Sequence, residues 1–319
     1  MILQGMNSSR SVNDSNFEAE VIAAFGRHLL VRDASGTERR ARPAGRKLTI
    51  VCGDRVACRE DRVHNELLIE EVLPRRTLLA RSNLRGVSEP VVANITQVVV
   101  VVAPVPAPDF FVVDRYLCAA SAAGIAGTLA VNKSDLAANK VDEREIAALA
   151  DAGYAHLACS ARQSPGLESL SAALGKAVSV LVGQSGVGKS SLVAALLPDA
   201  AVTTGELMRE EEGRHTTTAS RAYRLASGGT LIDSPGVRDF APAIEQLDAR
   251  TLGFPEIARL AAGCRFKDCQ HMQEPACAVI SAAESGALHA RRYESYRRLR
   301  RRYADLVEAR GPGSRNRRS

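Results

Sequence analysis

The sequence contains no tryptophan, and aromatic residues make up only 4% of its 319 residues. Aliphatic side chains must therefore fill its cores. It also lacks a long apolar run, because the longest, residues 98–107, is interrupted by two prolines and is far shorter than the ~20 residues of a membrane span. Residues 1–16 are polar, with neither a basic leader nor an apolar stretch, and predict a disordered tail. We expect a cytoplasmic protein without a membrane segment.

Cysteine and charge are both unevenly distributed. Four of the seven cysteines show no pairing pattern, which indicates reduced thiols in a reducing compartment: Cys52, Cys58, Cys118 and Cys159. Residues 291–319 hold eleven arginines against three acidic residues, a net charge of +8 in a chain whose total is +6. The basic character of the protein therefore belongs to its C-terminal end.

Residues 17–88 predict a small β-barrel. Five short strands separated by glycine-containing turns are expected there: Phe17 to Phe25, His28 to Arg32, Leu48 to Glu60, Asn65 to Val72 and Thr77 to Ala80. Five strands in so short a segment fit a Greek-key barrel of the oligonucleotide-binding (OB) type. Periodicity alone does not distinguish this barrel from other small barrels.

Residues 89–240 predict an α/β domain. Apolar runs, expected as strands, are Val98 to Val102, Thr128 to Val131, Val178 to Val182 and Thr230 to Ile232. Amphipathic stretches between them, expected as helices, are Phe110 to Ala123, Glu143 to Ala152 and Lys189 to Leu197. This alternation is typical of a parallel sheet covered by helices. Residues 241–310 predict a mostly helical domain that ends in an arginine-rich helix, and residues 311–319 a basic disordered tail.

A glycine-rich segment between a predicted strand and helix has the pattern of a phosphate loop: Gly183, Gln184, Ser185, Gly186, Val187, Gly188, Lys189 and Ser190. In such a loop backbone N–H groups surround the phosphates, Lys189 reaches the outer phosphates, and the Ser190 hydroxyl completes a Mg²⁺ shell. We include Ser191 in the predicted nucleotide-binding set. The alternative, a chance glycine-rich turn, is disfavoured by the strand and helix on either side.

A second segment predicts guanine recognition: Asn132, Lys133, Ser134 and Asp135. The carboxylate of Asp135 is placed to accept from guanine N1–H and N2–H₂, donors that adenine lacks on that edge. Read alone, these four residues would be a solvated turn. Ser160 and Ala161 match a weaker element whose backbone N–H groups contact the guanine oxygen.

The remaining nucleotide residues lie further along the chain. Asp233 follows a predicted strand and is expected to hold the Mg²⁺ shell with Ser190 and Thr217, while the Gly236 N–H contacts the γ-phosphate. Val237 stands where many small GTPases place a glutamine that orients the attacking water.

Water positioning must then come from elsewhere. The candidate is the loop at residues 213–218, whose His215 could orient or accept from the water. The alternative for His215 is a solvated loop histidine. The predicted catalytic set is Lys189, His215, Thr217 and Gly236.

The order of these motifs is unusual. The guanine-reading segment precedes the phosphate loop, whereas an ordinary GTPase has them the other way round. All must meet around one nucleotide, so the order predicts a circularly permuted GTPase with new chain ends that carry appended domains.

Four potential metal ligands cluster near the C-terminal end: Cys264, Cys269, His271 and Cys277. Three thiolates and one imidazole form a complete tetrahedral zinc set with no open position, which predicts one structural zinc ion. The alternative is a group of free buried cysteines.

The permuted motifs, the barrel and the zinc segment together resemble the RsgA-type GTPases of bacteria, which depend on the small ribosomal subunit. Further matching segments are Gly53-Asp54-Arg55-Val56, Leu73-Pro74-Arg75-Arg76 and Gly213-Arg214-His215-Thr216-Thr217-Thr218. The resemblance implies a late-acting maturation factor that binds the small subunit and its 16S ribosomal RNA and hydrolyses GTP much faster there. It also implies a catalytic role for His215.

Other interpretations stay open at this point. An RNA-binding module or RNA chaperone would use the nucleotide only to gate affinity, with incidental turnover; a GTPase acting on another RNA partner and an ATPase are further alternatives. The arginine-rich helix either contacts RNA or is a solvated face. Its tyrosines either stack on bases or dock the helix: Tyr293, Tyr296 and Tyr303. We expect a monomer that exchanges GTP and GDP.

Overall fold

The computed structural model describes residues 16–25, 28–45, 48–61, 64, 66–82, 88–136, 140–198, 220–234, 243 and 247–309. Within them the chain forms thirteen strands and seven helices. Several predicted features lie outside the described residues: the tails at residues 1–15 and 311–319, the loop with His215 and Thr217, and Gly236.

The N-terminal part is a closed five-stranded barrel. Its strands are β1 (Phe17–Phe25), β2 (His28–Asp33), β3 (Glu38–Pro43), β4 (Arg55–Asp61) and β5 (Glu66–Val72). They pair in the order β1-β2-β3-β5-β4, and β4 returns to β1. Only β3 and β5 are parallel. The predicted OB-type barrel is therefore confirmed, with a core of small aliphatic side chains such as Val21, Val31, Val56 and Ile69.

The observed strands differ from the predicted ones in three places. β3 was not predicted, because Ala41 is its one fully buried residue and charged residues surround it. Of the expected strand Leu48 to Glu60, only the part from Arg55 onward forms, as β4. Just before it lies Gly53, whose φ of +88° suits glycine and whose Cβ position would lie 2.1 Å from the Ala93 carbonyl oxygen. The segment Thr77 to Ala80 belongs to β6 (Leu78–Ser82), which pairs with β7 (Ser88–Ala93) in a separate hairpin.

The central domain is a mostly parallel sheet. Its strands are β8 (Gln97–Val102), β9 (Ala126–Val131), β10 (Ala155–Ala158), β11 (Val178–Val182), β12 (Ser220–Arg224) and β13 (Thr230–Asp233). They pair in the order β10-β9-β8-β11-β13-β12, with β12 alone antiparallel. All six residues of β8 are buried, as expected for a strand covered on both faces.

Four helices cover this sheet: α1 (Phe110–Ala122), α2 (Glu143–Ala152), α3 (Ser164–Leu174) and α4 (Lys189–Leu196). α1 and α2 begin where Asp109 and Asp142 accept hydrogen bonds from the backbone N–H two residues on. α2 ends at Gly153 in the left-handed conformation, with a φ of 102°. The predicted helices of this domain are thus observed within one residue of their expected ends, and α3 is additional.

The barrel and the central sheet share hydrogen bonds. β1 pairs with β12 in antiparallel register, Ala23 opposite Arg221 and Ala24 opposite Ser220. The two sheets therefore form one continuous eleven-stranded sheet.

The C-terminal domain packs against α1. It contains α5 (Pro255–Ala261), α6 (Ala278–Glu284) and the long α7 (Ala290–Ala309). Its apolar cluster includes Cys118 of α1, and Gly253 approaches so closely that a Cβ there would lie 2.2 Å from the Cys118 carbonyl oxygen. Of the helices described, none is long and apolar enough to cross a bilayer.

The start of α7 is fixed by buried charge. The guanidinium of Arg292, 1% exposed, donates to Asp114 of α1 at 2.6 Å and to Glu256 of α5 at 2.7 Å. Arg291 also pairs with Asp114 and reaches Glu145 of α2. One turn of α7 therefore joins helices from both domains.

The tyrosines of α7 dock the helix. Tyr296 is fully buried, and its hydroxyl donates to the backbone oxygens of Arg250 and Gln270. The hydroxyl of Tyr293 donates to the His271 oxygen at 2.8 Å. Tyr303 packs, partly buried, against the same apolar cluster. Of the two interpretations of the tyrosine spacing, packing is the one observed.

Candidate nucleotide site and metal centre

The phosphate loop connects β11 to α4. Gly183 has a φ of 139°, and a Cβ there would lie 2.2 Å from the Val101 carbonyl oxygen. Gly186 and Gly188 also have positive φ, 82° and 97°. These conformations are open to glycine at no steric cost and turn the chain tightly at the carboxyl end of β11, directly before the N-terminus of a helix.

Lys189 begins α4 and points back over this loop. Its ammonium group donates to the carbonyl oxygens of Gly183 and Gln184, the latter at 2.7 Å, and the residue is only 8% exposed. The cation is thus held inside the curve of the loop. Ser190, the next residue on α4, also has an interaction partner.

The segment Asn132 to Asp135 meets the phosphate loop in space. The Asn132 amide donates to the Val187 oxygen at 2.8 Å, and Lys133 donates to the Gly186 oxygen at 2.8 Å. A side chain at Gly188 would collide with Asn132, 2.4 Å from its amide nitrogen. The structure therefore brings together two segments that lie about fifty residues apart in an inverted order.

Asp135 and Ser160 are also adjacent. The Ser160 hydroxyl donates to the Asp135 carboxylate at 2.7 Å, and this bond is the main cause that lowers the pKa of that carboxyl. The backbone oxygen of Cys159 accepts from Ser134 N–H at 3.1 Å. At neutral pH the loop therefore presents an ionised, partly exposed carboxylate that Ser160 holds in place.

Asp233 ends β13, beside the phosphate-loop strand β11. This placement is the one expected from its motif, and its neighbour Ser234 is buried with its hydroxyl 2.7 Å from that of Ser220. The partners expected to act with Asp233, namely His215, Thr217 and Gly236, lie outside the described residues.

A third segment of the site, residues 103–109, was not predicted from the sequence. The Lys133 ammonium donates to the Val105 oxygen at 2.6 Å, and the Asp109 N–H donates to the Gln184 side chain at 3.1 Å. Three prolines mark this segment as a rigid connection after β8, which is the sequence signal that was available. It joins the phosphate loop to the start of α1.

Two segments on which the family resemblance rests also meet, in the barrel. Asp54 is fully buried, and its carboxylate accepts from Arg75 at 2.7 and 2.9 Å. Asp54 also accepts from the Val51 N–H at 2.8 Å. These matching residues therefore have a structural role, because they fix the turn before β4 to the segment that follows β5.

The four predicted metal ligands lie together between α5 and α6. The ligand atoms of Cys264, Cys269, His271 and Cys277 all lie within 4.8 Å of one another. His271 Nδ1 is 3.4 Å from the sulfurs of Cys264 and Cys277, and those two sulfurs are 3.8 Å apart. Metal–sulfur bonds of about 2.3 Å at a tetrahedral angle place two sulfurs about 3.8 Å apart. The donor set fits a tetrahedral metal ion.

The pKa shifts of the cluster residues also favour a metal site. Burial raises the pKa of the Cys269 thiol to about 12 and lowers the pKa of His271. Buried sulfurs ionise in such a place only with a cation among them, and the imidazole is held in the neutral form that binds metals. The predicted cluster is thus a site that could hold a metal ion.

The strand order, the phosphate loop and the inverted meeting of its motifs define a circularly permuted P-loop GTPase. Comparison with known families agrees, because the family described as RsgA GTPase matches residues 72–242, just over half of the chain.

Individual relatives extend the match over most of the chain. The small ribosomal subunit biogenesis GTPase RsgA of Azotobacter vinelandii is 41% identical over 293 residues, covering 88% of this chain and 83% of that protein. Its namesake in Pseudomonas aeruginosa is 41% identical over 288 residues, covering 88% and 84%. The crystal structure of YjeQ from Thermotoga maritima matches with a TM-score of 0.71 at 28% identity, over 92% of this chain and 99% of that one. The chain belongs to the RsgA GTPase family and is a GTP hydrolase.

The fold itself is shared with a further solved structure. That of YloQ, a circularly permuted GTPase, matches with a TM-score of 0.68 at 24% identity, covering 93% of this chain and 98% of that one. The permuted order predicted from the sequence is confirmed by the contacts of Asn132 and Lys133 with the phosphate loop and by the family match.

Proposed function

We propose that this GTPase binds the small ribosomal subunit and its 16S ribosomal RNA and assists late maturation of that subunit. GTP orders the site, the ordered form binds the subunit, and hydrolysis, stimulated by the subunit, releases the factor. The names of the relatives, small ribosomal subunit biogenesis GTPases, support this role. A cytoplasmic location and a monomeric state belong to the same proposal.

One observation carries the nucleotide part of the proposal. Asn132 and Lys133 bond directly to the phosphate loop, so a guanine held by Asp135 and phosphates held by Lys189 would belong to one nucleotide. The ionised carboxylate of Asp135 accepts from the two guanine donors, and Ser160 fixes its orientation. The proposed binding set is the one predicted from the sequence, residues 132–135, 160–161 and 183–191.

The chain's own groups have distinct roles in hydrolysis. Lys189, now bonded to loop carbonyl oxygens, exchanges them for phosphate oxygens and stabilises the charge that develops on them. Ser190, Thr217 and Asp233 would hold a Mg²⁺ ion, which supplies Lewis-acid neutralisation of the phosphates. His215 orients the attacking water, and the Gly236 N–H donates to the γ-phosphate.

We further propose that the ion at Cys264, Cys269, His271 and Cys277 is one structural Zn²⁺. Three sulfurs and one imidazole at tetrahedral spacing favour zinc over harder cations. With all four positions filled by protein, this ion takes no part in hydrolysis.

Steady-state GTP hydrolysis tests the proposal. The rate is measured at one low salt concentration for the protein alone, with small subunits, with large subunits and with whole ribosomes. We expect marked stimulation by small subunits. Equal slow turnover in every mixture would contradict the proposed partner and leave a GTPase whose activator is a different molecule.

Two variants test the residue assignments. Asp135→Asn should relax the preference for GTP over ATP, because an amide presents a donor where guanine also presents one. His215→Ala should slow hydrolysis while GTP affinity stays unchanged. If the slow His215→Ala enzyme still completed subunit maturation, the factor would act as an RNA chaperone with incidental turnover.

A further inference from the structure

The loop between the first two cysteines of the metal cluster presents an aromatic side chain to solvent. Residues 265–268 are all exposed, and Phe266 retains 40% of its accessible surface. Among the described residues it is the one aromatic in the group of exposed large hydrophobics, beside Val105 and Leu136. A single exposed apolar residue needs no explanation by itself, so the surroundings of Phe266 decide its meaning.

Two of those neighbours are cations without carboxylate partners. Within the described part of the chain, neither Arg265 nor Lys267 forms an ion pair. The Arg265 guanidinium lies instead over the Phe266 ring, 5.5 Å from its centroid. Asp268 offsets one of the two charges and leaves the loop at +1. An aromatic ring and two available cations therefore share four residues.

The loop is also held rigidly. Cys264 and Cys269 fix its two ends in the metal cluster, and the Cys269 N–H donates to the Phe266 oxygen at 3.3 Å. A ring mounted in this way loses little conformational entropy when a ligand packs on it. The geometry favours a flat ligand that covers an aromatic face, with negative charge nearby for the cations.

Unpaired RNA nucleotides have this chemistry. A splayed base stacks on an aromatic side chain or an arginine plane, and its phosphates attract neighbouring cations. A duplex offers no free base face to the ring. We propose that Phe266, together with Arg265 and Lys267, binds an unpaired RNA nucleotide, an assignment that rests on the proposed ribosomal function for the source of that RNA.

The absence of tryptophan from the chain makes a direct measurement possible. Phe266→Trp places the only indole of the protein at the proposed contact. We expect its fluorescence to be quenched when the metal-loaded, full-length protein binds a short single-stranded RNA, and to change little with the same RNA in a duplex. Equal quenching by both RNAs, or by neither, would overturn the proposal.

Affinity provides the second readout. Stacking on one aromatic ring contributes enough that Phe266→Ala should bind the single-stranded RNA about ten-fold more weakly, whereas Phe266→Tyr should keep the affinity. The Phe266→Ala change should leave the salt dependence unaltered, while Arg265→Gln should reduce its slope by about one. Because Phe266 is exposed and lies outside the ligand set, metal content and circular dichroism should match the wild type and exclude misfolding.

The outcomes separate this inference from the proposed function. If small subunits fail to stimulate wild-type hydrolysis, the proposed function is wrong whatever Phe266 does. If subunits stimulate hydrolysis but Phe266→Ala binds single-stranded RNA normally, the inference alone is wrong. Weaker subunit binding by Phe266→Ala with normal binding of RNA would assign the loop to a protein partner and also overturn it.

Discussion

In the barrel, five strands close on themselves around aliphatic side chains, whereas the C-terminal domain has two helices of only seven residues beside its long one. Most arginines on the barrel strands form ion pairs at or near the surface: Arg32–Glu38, Arg39–Glu60, Arg42–Asp61, Arg55–Glu18 and Arg59–Glu70. The C-terminal domain buries Arg292 and gathers four metal-type ligands. The C-terminal domain thus adds a buried charge network and a group of metal-type ligands to its apolar cluster, where the closed barrel is held mainly by backbone pairing and apolar burial.

Removal of the metal should show the largest difference between the two domains. Cys277→Ser, or chelation of the wild type, should unfold the C-terminal domain, because structural zinc contributes on the order of 10 kcal/mol to such domains. Hydrogen exchange read by mass spectrometry should lose protection at α5 to α7 and keep it in the barrel. Cys118→Ala is the matched control, since Cys118 is buried in the same apolar cluster outside the ligand set. Loss of protection in the barrel as well would contradict the prediction that the C-terminal domain unfolds without the barrel.

Breaking the buried ion pair should have the next largest effect. Asp114→Asn leaves the Arg292 guanidinium buried with a weakened partner and should lower the free energy of unfolding by about 3 kcal/mol in urea titrations. Replacing the three buried groups together, Asp114→Leu with Arg292→Met and Glu256→Gln, should recover much of this loss, because Glu256 would otherwise lose the guanidinium with which it pairs. A triple variant no more stable than the single one would show that the ion pairs have a further role in docking α7.

The corresponding pair in the barrel should matter less. Arg75→Ala removes the partner of the fully buried Asp54, but Arg75 is itself 21% exposed and water can reach the vacated position. We expect a loss of about 2 kcal/mol in the same titration. Arg55→Ala, in an exposed pair, is the control and should cost about 0.5 kcal/mol or less. Equal losses for the two variants would mean that burial of Asp54 has no energetic consequence.

The smallest expected effect is a pH dependence of stability that arises from Glu274, in the loop before Cys277. Burial opposes ionisation of Glu274, but the backbone N–H groups of Gln270, Gln273 and Met272 donate to its carboxylate and lower its pKa to about 2. A carboxyl whose folded pKa is depressed stabilises the fold above its unfolded pKa and loses this contribution as pH falls through the folded value. The free energy of unfolding of the wild type should exceed that of Glu274→Gln by about 1 kcal/mol at neutral pH. This difference should be constant down to about pH 5. The difference should then decrease towards pH 2. A difference that does not depend on pH would show that Glu274 is not ionised in the folded protein.

The features that could be predicted from the sequence are those that one short segment encodes. The phosphate loop was predictable because a strand, a glycine turn and a helix follow one another locally, and the metal cluster because its four ligands lie within fourteen residues. β3 was not predictable, since its outward arginines hide the alternation and their partners on β4 are distant in sequence. Local pattern was thus sufficient where one short segment carries the chemistry.

Contacts between remote segments needed the structure. α1 reads as an apolar helix with one aspartate, and nothing local indicates that Asp114 meets an arginine 178 residues later. The bond from Gln184 to Asp109 likewise joins segments 75 residues apart. These contacts connect the predicted sites to one another, and no single sequence motif predicts them.

The pairing of β1 with β12 has a practical consequence. Each strand covers an edge of the other's sheet, so a chain cut between barrel and central domain would leave both edges with unpaired backbone groups. Exposed edges of this kind recruit further strands and lead to aggregation. Attempts to produce the barrel alone should therefore protect this edge, for instance with a lysine on β1 at the partly exposed Ala24, before low solubility is taken as evidence of misfolding.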